Sequence, residues 1–155
     1  MNTLIIYNSS YGNTERVAHA VAEVLSEHGE TRVVSAAETN ALSKEGVDLL
    51  VIGAPTQRHG LPSVVRDLLE ATPRGALQGL RTLAFDTRYH HAKLVTGSAA
   101  KEIGKLLRGL GCRLLAPPES FFVIGAGGPL EPGEEERARA WAASSLGRVR
   151  RATSA

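Results

Sequence analysis

A single cysteine, Cys112, in 155 residues excludes a disulfide framework and fits a reducing compartment. It follows Gly111 at an expected strand start, a position that suits a small buried thiol better than a reactive one. No apolar run approaches the ~20 residues of a membrane span, and the chain does not open on the charged–apolar–cleavage pattern of a leader; cytoplasm is the expected compartment. Neither sign of charge dominates. A net charge of +2 is too small to imply nucleic-acid binding, and the basic residues do not concentrate on one segment. The exception is Arg148, Arg150 and Arg151 near the end, where a fraying tail over 151–155 is expected. The chain also lacks Gly-x-x-x-x-Gly-Lys-Ser/Thr and Gly-x-Gly-x-x-Gly, so neither the nucleoside-triphosphate loop nor the dinucleotide loop is present. No Ser/His/Asp or Cys/His set stands at a familiar spacing, and Ser98 within Gly-Ser-Ala-Ala is not a nucleophile elbow.

What is present is an ordinary soluble composition, 43% hydrophobic and 22% charged, over a length that suits one domain spanning 1–150. The most informative stretch is 3–14. A short apolar run, Leu4-Ile5-Ile6-Tyr7, stops at a hydroxyl-rich turn, Ser9-Ser10-Tyr11-Gly12-Asn13-Thr14, which leads into an amphipathic segment from Glu15. Strand, tight loop and helix N-terminus together form an anion site, because the first helical N–H groups lack internal partners and carry the positive end of the dipole. Ser9, Ser10 and Thr14 add hydroxyl donors, and Gly12 permits close approach of the backbone. No lysine or arginine lies between Asn2 and Thr14, so a phosphate here would be held by neutral donors alone. The plainer alternative is a turn in which Asn13 or Thr14 caps the helix.

Apolar runs alternate with helical patterns along the chain. Strands are expected at 3–7, 31–36, 47–53 and 81–86, with a broken fifth element over 113–124. The first, third and fourth run without polar alternation, which marks strands covered on both faces and hence a parallel sheet. Helical faces are carried by Val17, Val21 and Leu25; by Val64, Val65, Leu68 and Leu69 after Pro62; and by Ile103, Leu106 and Leu107 after a Ser98 cap. A last helix begins near Glu131-Pro132, with Glu134, Glu135 and Glu136 complementing its dipole and Trp141 facing inward. The segment 38–46 reads as a short, poor helix. The outcome is an α/β doubly wound, five-stranded parallel sheet with helices on both faces.

Ligands in such folds bind beyond the carboxyl ends of the strands, where strand order reverses. The loops expected to converge there are Asn8–Thr14, Ala54–Gly60 and Asp86–Thr96, the richest in polar and aromatic groups. One offers phosphate donors. The others offer planar groups (Arg58, His59, Arg88, Tyr89) between which a ring could lie. Together they ask for a phosphorylated aromatic ligand. His59, His90 and His91 are joined by no cysteine or paired carboxylate, so no metal is expected. Gly125-Ala126-Gly127-Gly128-Pro129 precedes a helix loaded with glutamates and reads as a connector, not a phosphate loop.

Over nearly its whole length the chain resembles a short-chain flavodoxin. Ser9-Ser10-Tyr11-Gly12-Asn13-Thr14-Glu15 is similar to the flavodoxin phosphate loop, with Tyr11 where threonine is common. Gly53-Ala54-Pro55-Thr56 resembles the start of a flavin-flanking loop, continued by Gln57, Arg58, His59 and Gly60. Asp86-Thr87-Arg88-Tyr89 stands where flavodoxins carry an acidic-hydroxyl-x-Tyr loop whose tyrosine stacks on the flavin ring. The resemblance implies strand order 2-1-3-4-5, bound flavin mononucleotide (FMN), phosphate held by Ser9–Thr14, and the ring flanked by Pro55–Gly60 and Asp86–Tyr89. It also implies electron transfer to a redox partner protein. The departures are electrostatic. Electron-carrying flavodoxins are typically acidic around the flavin, whereas this chain has a sequence pI near 8.9. Its flanking loops set Arg58, His59, Arg88, His90, His91 and Lys93 against a lone Asp86, and no tryptophan stands in the 54–60 loop. The expected consequences are a reduction potential less negative than in an acidic flavodoxin and a partner with an acidic docking patch. Two alternatives stand beside the carrier: a flavin-dependent oxidoreductase of this fold acting on a quinone or porphyrinogen, and a flavin-free sensor or interaction module.

Overall fold

A computed structural model of the chain describes residues 1–58, 60–90, 97–125 and 127–154, with side chains through Arg151. The elements run β1 (Thr3–Tyr7), α1 (Asn13–Leu25), β2 (Thr31–Ser35), β3 (Leu49–Pro55), α2 (Ser63–Glu70), β4 (Arg81–Arg88), α3 (Ala99–Gly109), β5 (Arg113–Leu114), β6 (Glu119–Phe122) and α4 (Glu134–Ser154). All strand pairings are parallel, in the order β2-β1-β3-β4-β5, with β6 continuing the edge beside β4. This is the doubly wound order implied by the sequence resemblance. Because the strands are parallel, β1, β3 and β4 all end on one edge of the sheet.

Six consecutive residues of β3, Leu49 to Ala54, are buried. Period-2 alternation sends them to opposite faces, and each face meets a helical layer. Ile6, Leu50, Ile52 and Ala84 pack with Val65 and Leu69 of α2 and Ile103 and Leu107 of α3. Ile5, Val51, Leu83 and Phe85 pack with Val17, Val21 and Leu25 of α1 and Ala138, Ala142 and Leu146 of α4. Gly53 is the close-approach point of this second core. A Cβ there would collide with the Phe85 ring, which meets Phe121 and Trp141 edge-on at 6.0 and 6.1 Å. Cys112 is buried, and burial pushes its thiol up to about 11, so it carries no thiolate at neutral pH.

Two local expectations change, and the expected break in the fifth element finds its cause. Residues 38–46 do not form a helix: a single 3-10 turn covers Ala36–Glu38 and the chain then runs irregularly to β3. Asn40, Ser43 and Gly46 are poor helix formers, and Leu42 is the one residue from 38 to 46 that is buried. The fifth element is split into β5 and β6 by Ala116-Pro117-Pro118, since proline cannot donate to a ladder. The last helix continues to Ser154, through residues where the sequence reads as a frayed tail. Val149 is buried and Arg148 Nη1 donates to the Leu115 carbonyl, which ties that end to the sheet. No helix among the described residues is long and apolar enough to cross a membrane.

The start of α4 is fixed by charge as well as by packing. The Glu134 carboxylate accepts from Phe122 N at 2.7 Å and from Arg137 Nε and Nη2 at 2.9 and 2.8 Å, and Arg137 lies 4.5 Å over the Phe121 ring. Burial alone would push the Glu134 carboxyl up. The Arg137 and Phe122 hydrogen bonds, with the Arg137 and His90 charges, outweigh it and hold the carboxyl below its ordinary value of 4.5. A carboxyl depressed in the folded state contributes stability above its unfolded pKa and loses it as pH falls through the folded value. Glu134→Gln should therefore lower stability at neutral pH and flatten its acid dependence. Urea midpoints of both proteins, taken from neutral pH down to about pH 3, should converge; parallel curves would mean that Glu134 contributes nothing through ionisation.

Candidate functional site

A groove of about 290 Å³ opens at the carboxyl ends of β1, β3 and β4, close to the lower bound of ~300 Å³ usual for small-molecule sites. It is lined by Ser9, Ser10, Tyr11, Asn13 and Thr14 after β1, by Pro55, Thr56, Gln57 and Arg58 at the end of β3, by Thr87, Arg88 and Tyr89 at the end of β4, and by Val123.

The first wall is the N-terminus of α1. Gly12, at φ +87°, occupies the N-cap position in the left-handed region that favours glycine. Among the described residues no side chain caps this helix, so Asn13, Thr14 and Glu15 present N–H groups with no acceptor in the helix. Ser9 Oγ accepts from Gly12 N at 3.0 Å, which folds the turn on itself and leaves the Ser9 hydroxyl hydrogen free to donate outward. Thr14 is buried, its hydroxyl 2.8 Å from that of Thr87, so the first and third loops are joined directly. Glu15 would oppose an anion at this spot, but it does not line the groove. Its carboxylate accepts from Tyr7 Oη at 3.1 Å and lies 3.7 Å from His19 Nε2. Burial first, and then the Glu15 hydrogen bond and charge, push the Tyr7 hydroxyl above its usual range.

The second wall is held from behind. Thr56 N donates to Thr87 O at 2.9 Å, and Gln57 and Gly60 exchange backbone hydrogen bonds at 2.9 Å around the loop tip. Gly60 has φ +86° and is buried against Glu102, whose carboxylate takes Leu61 N and Arg66 Nη2. Gly60 therefore shapes the loop and does not line the groove. His59, His91 and Lys93 lie outside the described residues.

The third wall departs from the sequence reading in one respect. Asp86 is fully buried and does not line the groove. Its Oδ2 accepts from Thr56 Oγ1 at 2.9 Å, Ser98 Oγ at 2.7 Å and Ala100 N at 3.0 Å, while Thr56 Oγ1 accepts from Ala99 N at 2.9 Å. The N-terminus of α3 is thus filled by the protein's own carboxylate, whereas that of α1 is open. Tyr89 is half-buried on the groove, Arg58 is exposed at its rim, and Arg88 is buried. His90 does not line it. The imidazole stacks on Phe122 at 3.8 Å between centroids, with Nε2 2.7 Å from Glu131 Oε2, close enough for an ion pair but without the angle of a hydrogen bond.

Two contributors escape sequence reasoning. Val123 lies on the wall because Val123 N donates to Arg88 O at 2.9 Å, a pairing set by the edge strand. The glycine-rich connector rests on the first loop: Asn13 Nδ2 donates to Gly127 O at 3.2 Å, and a Cβ on Gly128 would collide with the Asn13 side chain. Across 114 residues of separation, only Gly128, at φ +90° and with no room for a Cβ, signals this contact. Among the described residues, no group of His, Cys, Asp and Glu could hold a metal ion.

The flavodoxin family model matches residues 5–141. Among solved structures, oxidised Flavodoxin 1 of Bacillus cereus is 20% identical with a TM-score of 0.79, over 94% of this chain and 97% of that one. A flavodoxin, WrbA-like protein of Agrobacterium tumefaciens is 21% identical with a TM-score of 0.71, over 97% and 98%. A cysteine-to-serine mutant of the Pseudomonas aeruginosa flavodoxin is 19% identical with a TM-score of 0.70, over 97% and 99%. With most of its length matched by the family model and its sheet in the doubly wound order, the chain belongs to the flavodoxin family, proteins that bind a flavin and carry electrons.

Proposed function

We propose that this groove holds FMN and that the chain is an electron carrier, exchanging electrons with a partner protein through the flavin. The observation that carries the reading is the contrast between two helix N-termini. That of α3 is neutralised from within by Asp86 and Ser98, while that of α1 is uncapped and opens onto a hydroxyl-lined groove. Bound flavin would supply reversible one- and two-electron chemistry. The residues fit such a group: Ser9, Ser10, Thr14 and the α1 amides are donors for a phosphate. Pro55, Thr56, Gln57 and Arg58 would line one side of the ring and Tyr89 the other. Arg58, exposed at the rim, supports a partner with an acidic docking patch. Purified protein reconstituted with FMN should be yellow, bleach with dithionite and recover in air. Failure to retain any flavin after reconstitution would leave the fold as an interaction module.

Tyr89→Ala should weaken FMN binding by about 1–2 kcal/mol, the scale of one aromatic contact plus its buried area. Flavin fluorescence titration of wild type and variant reads this directly. Equal affinities would assign the shielding of the ring to another side chain.

A further inference from the structure

Arg88 ends β4, lines the groove and is only 2% exposed, yet its Nε and Nη2 have no hydrogen-bond partner among the described residues. A guanidinium does not shed its proton in a protein, so the charge stays wherever the side chain is put. The two idle donors belong to the same edge of the planar group, the edge that elsewhere grips a two-acceptor partner. The charged group on the same face of β4 is Asp86, two residues back. Its Oδ2 is taken by Thr56, Ser98 and Ala100, its Oδ1 is also unpartnered, and it does not reach the groove. A buried cation held this way is unfavourable in the ligand-free fold. Features that break the packing rules cluster at functional sites.

We propose that Arg88 is the anion-stabilising residue of the groove: it favours the negative charge that reaches the flavin ring on reduction, so that the protein binds reduced FMN more tightly, relative to oxidised FMN, than it would without this residue. This rests on the flavin reading above. Two-electron reduction adds two electrons and one proton to the ring. The proton sits on N5, and the remaining negative charge is shared by N1 and the oxygen on C2. That N–C–O array is a delocalised acceptor of the kind a guanidinium edge matches. The phosphate loop cannot serve this purpose, since it holds no cation and the phosphate charge is the same before and after reduction. Arg58 is exposed and salt-screened, whereas the Arg88 charge is not.

The test compares Arg88→Met and Arg88→Lys with wild type in three measurements. These are thermal unfolding of the apoprotein, titration with oxidised FMN, and anaerobic titration with dithionite-reduced FMN at low and high salt. Met matches the volume and removes the charge, so the apoprotein midpoint should not fall. The affinity ratio of reduced to oxidised FMN should drop at least about tenfold in Arg88→Met, which by linkage is about 30 mV in the two-electron potential, and the drop should persist at high salt. Arg88→Lys should keep most of the ratio. An unchanged ratio in Arg88→Met overturns the proposal while leaving FMN binding intact. A large fall in the apoprotein midpoint, or failure of Arg88→Met to fold, also overturns it, because the guanidinium would then be a structural partner. If wild type binds neither form of FMN, the flavin reading itself fails and this inference with it.

Discussion

FMN should bind this protein on the order of a hundredfold or more tightly than riboflavin, and the difference should be lost at the first loop. Riboflavin keeps the ring and ribityl chain and lacks only the phosphate. Against the open end of α1 that group would meet the N–H groups of Asn13, Thr14 and Glu15, which have no acceptor among the described residues, and the hydroxyls of Ser9 and Ser10. Charge-assisted hydrogen bonds contribute roughly 1.5–3 kcal/mol each, so two surviving net contacts amount to about 3–6 kcal/mol, a factor of ~10²–10⁴ in affinity. The side chains do not contribute alike. Ser10 is exposed and makes no hydrogen bond among the described residues, so Ser10→Ala should weaken FMN about tenfold and leave riboflavin nearly unaffected. Thr14 also holds Thr87 across a buried 2.8 Å contact, so Thr14→Ala should in addition lower the stability of the flavin-free protein by about 1 kcal/mol. Fluorescence quenching by the apoprotein separates the cases. Equal affinity for the two flavins would remove the phosphate site altogether.

The layout of the sheet was legible in the sequence because burial on two faces leaves an unmistakable trace. Leu49-Leu50-Val51-Ile52 and Thr82-Leu83-Ala84-Phe85 carry no polar alternation, and such strands need helices above and below. The convergence of three loops at one edge then follows from parallel order. What the sequence hides is which residue in a loop faces the ligand. Asp86 and Arg88 read alike as charged groups at or just past the end of a strand, yet β4 extends through both and buries both. They differ in their partners, and those lie elsewhere in the chain: Thr56 in the preceding loop and the amide of Ala100 in the next helix claim Asp86, while Arg88 is left for the groove. The short helix expected at 38–46 does not form, because Asn40, Ser43 and Gly46 disfavour it and Leu42 is the one residue of that stretch that is buried. Val123 carried no signal at all, since its place on the wall depends on an edge strand broken by two prolines.

Asp86→Ala should destabilise the flavin-free protein by about 3 kcal/mol. The carboxylate is fully buried and takes three donors on one oxygen. Its removal strands the Ala100 amide and the two hydroxyls, at about 1–3 kcal/mol for each group that finds no new partner. The hydroxyls of Thr56 and Ser98 can rotate; the amide cannot. The same substitution removes the negative charge on the Arg88 side of β4 and the anion at the N-terminus of α3, where Ser98 still caps Lys101 N at 3.3 Å. For a domain of this size the loss corresponds to roughly 6–12 °C in the unfolding midpoint. Asp86→Asn keeps one acceptor and the shape, and should cost about half as much. FMN affinity should fall with stability in both variants, because Thr56 loses its anchor and with it the position of the second wall. A ring-flanking carboxylate would behave in the opposite way: the flavin-free protein would keep its midpoint, and only the potential and spectrum of bound flavin would move. Thermal unfolding with and without FMN therefore decides between the two roles, and an unchanged midpoint in Asp86→Ala would return Asp86 to the ligand.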